Sequence, residues 1–170
     1  QIRPFFPSDM RNDVCVSCTV MSVEHDNSPE VAAMLGASIA LSVSDIPWKG
    51  PIAGIMMGYT EEEGYIVCPT SEQREKSVLQ LTVAGSMEKV VMIEAGADEF
   101  PDDMMLTAIK KGHEVIQDLI QFIRNIKAPA FDAFPQPMTN DAVFVFIDKF
   151  AVFFAVFIRI RQIANAPPIG

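Results

Sequence analysis

"VLQLTVAGSMEKVVMIEAGADEFPDDMMLTAIKKGHEVIQDLIQFIRNIK", residues 78–127, changes its hydrophobic period once, and that change decides the fold. In "VLQLTVAGS", Leu79, Leu81 and Val83 share one face while Gln80 and Thr82 share the other, the alternation of a half-buried strand. "KVVMIEAGA" supplies a second strand. After Pro101 the pattern becomes helical. Met105, Ile109, His113, Ile116, Leu119, Ile120 and Ile123 form one stripe, Asp102 and Asp103 open the helix, and Arg124 and Lys127 suit its negative end. Strands followed by one amphipathic helix predict a sheet with the helix laid across a face.

Upstream, "IAGIMMGYTEEEGYIVCPT" (52–70) reads as two further strands turning at "EEEG", with Gly64 as the turn residue, and "SEQREKS" (71–77) reads as a polar loop. A helix precedes them: Ser28 stands at the capping position, Pro29 at the first helical one, and Val31, Met34, Leu35, Ile39, Leu41 and Val43 make it apolar on nearly every side. Such a helix is buried between other elements. Pro47 ends it, and "WKGP" (48–51) turns the chain toward the sheet, spending its single Trp there. "NDVCVSCTVMSV" (12–23) is a first strand. The fold class expected is α+β, a mostly antiparallel sheet with packed helices, followed by a helical segment.

The bulk numbers set limits. With 170 residues, 49% of them hydrophobic, the chain is long enough for one domain with a real core. A net charge of −9 excludes a free-standing nucleic-acid binder built on a basic stripe, yet permits a local phosphate site, because screening confines distant carboxylates. The three cysteines, Cys15, Cys18 and Cys68, suit a reducing compartment better than a disulfide scaffold. The opening "QIRPFFP" has neither an initiator Met nor a signal peptide and reads as trimmed. The apolar run 142–158 carries Asp148 and Lys149 at its middle, too short and too charged for a membrane span, and the chain reads as soluble.

Few residues offer chemistry. "CVSC" (15–18) lies on a strand, where residues three apart face opposite sides, so one metal cannot take both thiolates; they are expected to be buried and inert. His113, on the helical stripe, reads as a core histidine satisfied by one hydrogen bond, and His25 as a solvated turn residue. Glu61, Glu62 and Glu63 read as a solvated hairpin tip. No catalytic triad, zinc or phosphate-loop motif occurs, and the acids form no spaced ligand set, so no catalytic and no metal residue is assigned.

Five segments in order, "QIRPFFP", "AAMLGASIALSVSDIPWKGPIAG", "YIVCPT", "LTVAGS" and "VVMIEAGADEFPDDMMLTAIKKGHE", together resemble the polynucleotide phosphorylase family, in its bacterial form. The resemblance covers residues 1–127. It implies the second half of the first of two RNase PH-like domains, a Pro-rich linker over 128–141, and the start of a helical region or a Phe-rich tail over 142–170. The activity implied is phosphorolytic 3′-to-5′ RNA degradation to nucleoside diphosphates, with Mg2+ or Mn2+ in the parent enzyme and none bound by this part. RNA and phosphate would be its substrates, a homotrimer its assembly, an RNA-degrading complex a further partner, and the cytoplasm its place, with no membrane.

In the resembled family the second RNase PH-like domain is the catalytic copy, and carries Asp, Asp and Lys ahead of its "VAG" strand end. Counting back from Val83-Ala84-Gly85, those places hold Arg74, Gln80 and Thr82 here. A guanidinium, an amide and a hydroxyl do not replace carboxylates around a divalent cation. The resemblance therefore implies a structural, channel-forming copy that is inactive alone. It offers Arg3, in "QIRP", as an RNA or phosphate contact, against a structural arginine pairing within the fold. Trp48 is expected to fill a packing site at or near a subunit contact. The alternative reading is a non-enzymatic oligomerisation module derived from that domain. Its support is the tail, where residues 142–158 hold six Phe: either this helix is buried in a partner or the segment is not native sequence.

Overall fold

The computed structural model describes the backbone of residues 1–11, 13–44, 46–133, 145–146 and 153–161, and side chains through residue 126 apart from 12 and 45. After a single 3-10 turn (Arg3–Phe5) come β1 (Asp13–Ser22), α1 (Pro29–Val43), β2 (Ala53–Thr60), β3 (Gly64–Val67), α2 (Ser71–Lys76), β4 (Leu79–Gly85), β5 (Val90–Ala97), α3 (Asp102–Ala133), β6 (Val145–Phe146) and β7 (Phe153–Arg161). The architecture is α+β, as the period change in residues 78–127 predicts.

β3, β2, β4 and β5 form an antiparallel sheet in that order. Ile55 pairs with Val83, and Val83 pairs in turn with Ile93. Since side chains alternate along each strand, Ala53, Ile55 and Met57 line up with Leu79, Leu81 and Val83 on one face, and α3 covers that face with Ala108, Ile116 and Ile120. Leu79, Leu81, Val83 and Ile116 are fully buried, while Gln80, on the opposite face, is exposed. Gly64 turns β2 into β3 at φ +73°, where a side chain would be strained.

α1 is buried along most of its length, as its all-round apolarity predicts, and lies against α3 and β2. Ser38, inside it, accepts the Ile52 N–H at 3.1 Å and so anchors the entry to β2. Ser28 stands at the N-cap, but its hydroxyl donates to Glu30 Oε2 at 2.5 Å and accepts no helix N–H. The corner at 46–51 also closes within the chain. Trp48 Nε1 donates to the Ile2 carbonyl at 3.3 Å, its ring meets Phe5 edge-on at 6.4 Å, and Lys49 N–H donates to the Phe5 carbonyl at 2.9 Å. Gly50 has no side chain because the Trp48 ring occupies that space.

Three expectations need correction. Residues 71–76 are a helix, because Thr70 and Gln73 form a reciprocal capping box that closes a single short turn pair. α3 runs to Ala133, into the segment expected as linker 128–141; Ala128, Ala130 and Ala133 are strong helix formers that carry the helix past Pro129. In the Phe-rich tail, Phe153–Arg161 is a strand rather than a helix: its aromatic and β-branched residues favour extended backbone, and it pairs antiparallel with β1, Val16 opposite Ile158. The rest of the tail expectation lies outside the described residues.

Candidate functional site

Arg74 and Thr82, two of the three positions compared with the catalytic copy, come together beside the face of the sheet that α3 leaves free. Thr82 lies on β4 in register with Met56 on β2 and Glu94 on β5. α2 brings Arg74 to the same region. Its guanidinium donates from Nη1 to the Pro69 carbonyl at 2.8 Å, and from Nη2 to Ser71 Oγ at 3.0 Å and the His25 carbonyl at 3.1 Å. Arg74 thereby ties α2 to the turn that precedes α1. Arg74, Thr82 and Glu94 line one open cleft of about 630 Å³ together with Gln1 and His25. Gln80 is exposed on the same strand face.

A divalent cation does not fit this set. Arg74 presents a fixed positive charge where the resemblance places a carboxylate in the catalytic copy, and Gln80 and Thr82 are neutral. Among the described residues no group of three or more His, Cys, Asp or Glu side chains is arranged to hold a metal.

Arg3 sits exposed in the 3-10 turn. Among the described residues its guanidinium has no hydrogen-bond or ion-pair partner. Its neighbours fix the turn on both sides: the Ile2 carbonyl accepts from Trp48, and Gln1 Nε2 contacts Met92 Sδ of β5 at 3.2 Å. The segment "QIR" therefore crosses from the tryptophan corner to the rim of the cleft.

His113 is half-buried on α3, and its Nε2 lies 2.9 Å from the Ser86 carbonyl, the single satisfying bond expected. Gln117, one turn on, donates to the Met87 carbonyl at 2.9 Å, so the helix clasps the β4–β5 turn twice. Glu61, Glu62 and Glu63 are exposed at the β2–β3 turn, as expected of a solvated tip.

The cysteines depart from expectation. Cys15 and Cys18 are free and exposed rather than buried, and Cys68 is likewise free and exposed. Among the described residues β1 pairs on one side only, with β7, and α1 shields little of it. Opposite facing does hold: Cys15 Sγ lies 3.9 Å from Ser17 Oγ, and Cys18 Sγ lies 3.9 Å from the Ala33 carbonyl of α1. Desolvation raises the Cys18 thiol pKa. Desolvation also raises that of Cys68, which lines a cavity although the residue is exposed, and a hydrogen bond with the Met56 backbone opposes the shift. Ser28 and the Glu30 backbone N–H hold the Glu30 carboxyl below its usual range, with Arg74 adding to the effect and burial opposing it.

Sequence reasoning missed the Thr70–Gln73 box and hence the element that positions Arg74. The signal was present as T-x-x-Q, four residues before Arg74.

Residues 50–115 match the model of the 3′ exoribonuclease family, domain 2. The chain is 59% identical over 125 residues to the polyribonucleotide nucleotidyltransferase of Ruminiclostridium cellulolyticum, covering 74% of this chain and 18% of that protein. It is 52% identical over 134 residues to the enzyme of that name from Oceanobacillus iheyensis (78% and 19%), and 50% over 127 residues to that of Streptococcus gordonii (75% and 17%). The chain thus spans about a fifth of the length of these curated relatives. The crystal structure of rice Rrp46 superposes with a TM-score of 0.55 at 16% identity, covering 62% of this chain and 50% of that one, a likeness of fold. The resemblance read from the five segments, to proteins named polyribonucleotide nucleotidyltransferase or polynucleotide phosphorylase, is shown.

Proposed function

We propose that the chain is the non-catalytic part of a polyribonucleotide nucleotidyltransferase, the second half of its first RNase PH-like domain, and serves as a wall of the RNA path. In the parent reaction, an oxygen of inorganic phosphate attacks the 3′-terminal phosphodiester. The new P–O bond forms as the bond to the preceding 3′-oxygen breaks, releasing a nucleoside diphosphate and an RNA one residue shorter. Mg2+ or Mn2+ for that step belongs to the other copy of the domain. Residues 1–127 form the half-domain. Homotrimer formation, participation in an RNA-degrading complex and a cytoplasmic setting complete the reading; no helix among the described residues is long and apolar enough to cross a membrane.

The observation that carries the non-catalytic assignment is Arg74, a guanidinium bound to three neutral oxygens at the place of a carboxylate. Purified alone, the 170-residue chain is expected to release no ADP from poly(A) and phosphate; ADP from a rigorously purified sample sinks the assignment. Arg3, exposed and unpaired among the described residues, is the proposed phosphate contact. In the full natural polypeptide, Arg3→Ala should weaken RNA binding and lower the slope of log K against log salt by about 0.7, one phosphate on a single strand. An unchanged affinity and slope removes Arg3 from the path. The assembly-module reading finds one supporting observation, the β1–β7 pairing, by which the chain covers an edge of its own first strand.

A further inference from the structure

A second cavity, of about 340 Å³, opens between α1, α3 and the sheet, and the proposed function makes no use of it. Ala32 and Leu35 of α1, Val115 and Leu119 of α3 and Gly54 of β2 line it. Its lining is almost wholly apolar except at one end, where it meets the 630 Å³ cleft; Asn27, Ser28 and Arg74 line both spaces. The size suits a small ligand. A nucleotide finds too few polar partners in its apolar depth.

Arg74 supplies the recognition. Its guanidinium is bound only to oxygens of Pro69, His25 and Ser71, and none of the described carboxylates lies within ion-pair distance of it. Glu30, the nearby acid, is engaged by Ser28 instead. An apolar chamber with a guanidinium at its mouth that closes no ion pair among the described residues is complementary to a single anionic head on an apolar tail. We propose that this cavity binds a medium-chain carboxylate, its head on Arg74 and its alkyl chain between α1 and α3.

The test is calorimetric titration of the full natural polypeptide carrying this sequence, at neutral pH, with the series hexanoate to dodecanoate and with 1-decanol and decylamine. Binding should tighten about fourfold per methylene until the chamber is full. Decanoate should bind at least about tenfold tighter than decylamine, since the charge pair reverses sign. Equal affinities for decanoate, decanol and decylamine, or no binding at all, overturn the proposal. Arg74→Lys should keep the preference for the anion and Arg74→Gln should erase it. Ala32→Phe should fill the chamber and abolish binding, and decanoate bound undiminished by a folded Ala32→Phe protein overturns the assignment. The ligand series on the unaltered protein decides the matter even if a variant fails to fold. Phosphatidylglycerol vesicles should leave the protein in solution; capture by them reassigns the site to a membrane lipid.

Discussion

The sheet with α3 and the N-terminal corner around Trp48 are held by different kinds of packing. In the first, Leu79, Leu81, Val83, Ile116 and Ile120 have no solvent exposure at all, and they come from a stretch of sequence that is nearly continuous. In the second, only Ala40, Leu41 and Ile46 are buried, and Ile2, Phe6, Val14, Val16 and Trp48 remain partly exposed around them. That corner joins residues 46 apart through one indole hydrogen bond and an edge-on ring contact. Burial scales with the apolar area removed from water, so the sheet layer holds most of the stability and the corner holds position. The corner is also what carries Arg3, so the weaker region presents the proposed RNA contact.

The largest expected effect lies in the sheet. Leu81→Ala removes a fully buried side chain and should cost about 3 kcal/mol, read as a lower urea midpoint at unchanged slope. Trp48→Ala should cost about 2 kcal/mol, less than Leu81→Ala although the side chain is larger, because half-burial forfeits less area. If Trp48→Ala proves the more damaging in the same titration, the division into a strong layer and a positioning corner is broken. Trp48→Ala should also raise the rate of proteolysis before Phe6 while leaving the β4–β5 amides protected from hydrogen exchange. Uniform loss of protection would show that the two regions unfold as one.

Thr70→Ala removes half of the capping box and should cost about 1 kcal/mol, with Arg74 losing its fixed seat. Should the melting temperature stay the same, α2 adds nothing to the sheet layer beside it. The smallest effect concerns Cys68. Desolvation raises its thiol pKa, so the neutral form is favoured in the folded state. Its contribution is fully present below the unfolded thiol pKa and is lost as pH rises through the folded one. Alkylation of Cys68, followed by peptide mass spectrometry, should accelerate at a higher pH than that of a free thiol. A profile matching the free thiol contradicts the desolvated sulfur.

The sheet layer was legible because its information is local: alternation in "LQLTV", the stripe from Met105 to Ile123, and Gly64 at a turn each speak for themselves over a few residues. His113 was legible for the same reason, since its place on the stripe foretold a single internal acceptor, and Ser86 provides it. Exposure of Cys15 and Cys18 was not, because alternation along β1 says which residues share a face and never what covers that face. The tail resisted for a related reason. Phe, Val and Ile fill both a buried helix and a strand, and pairing with β1 settles the choice for Phe153–Arg161.

Of the candidate site, the sequence by itself determined the chemistry: which residue types stand at 74, 80 and 82, and that they are unsuited to a divalent cation. It also determined the antiparallel core, since hydrophobic period is a property of neighbouring residues. Only the tertiary structure decided that Arg74 reaches back to His25, that the Ile2 carbonyl meets Trp48, and that α1 and α3 leave an apolar chamber between them. Those are relations across tens of residues, fixed by how whole elements pack, and packing depends on shapes that no local pattern records.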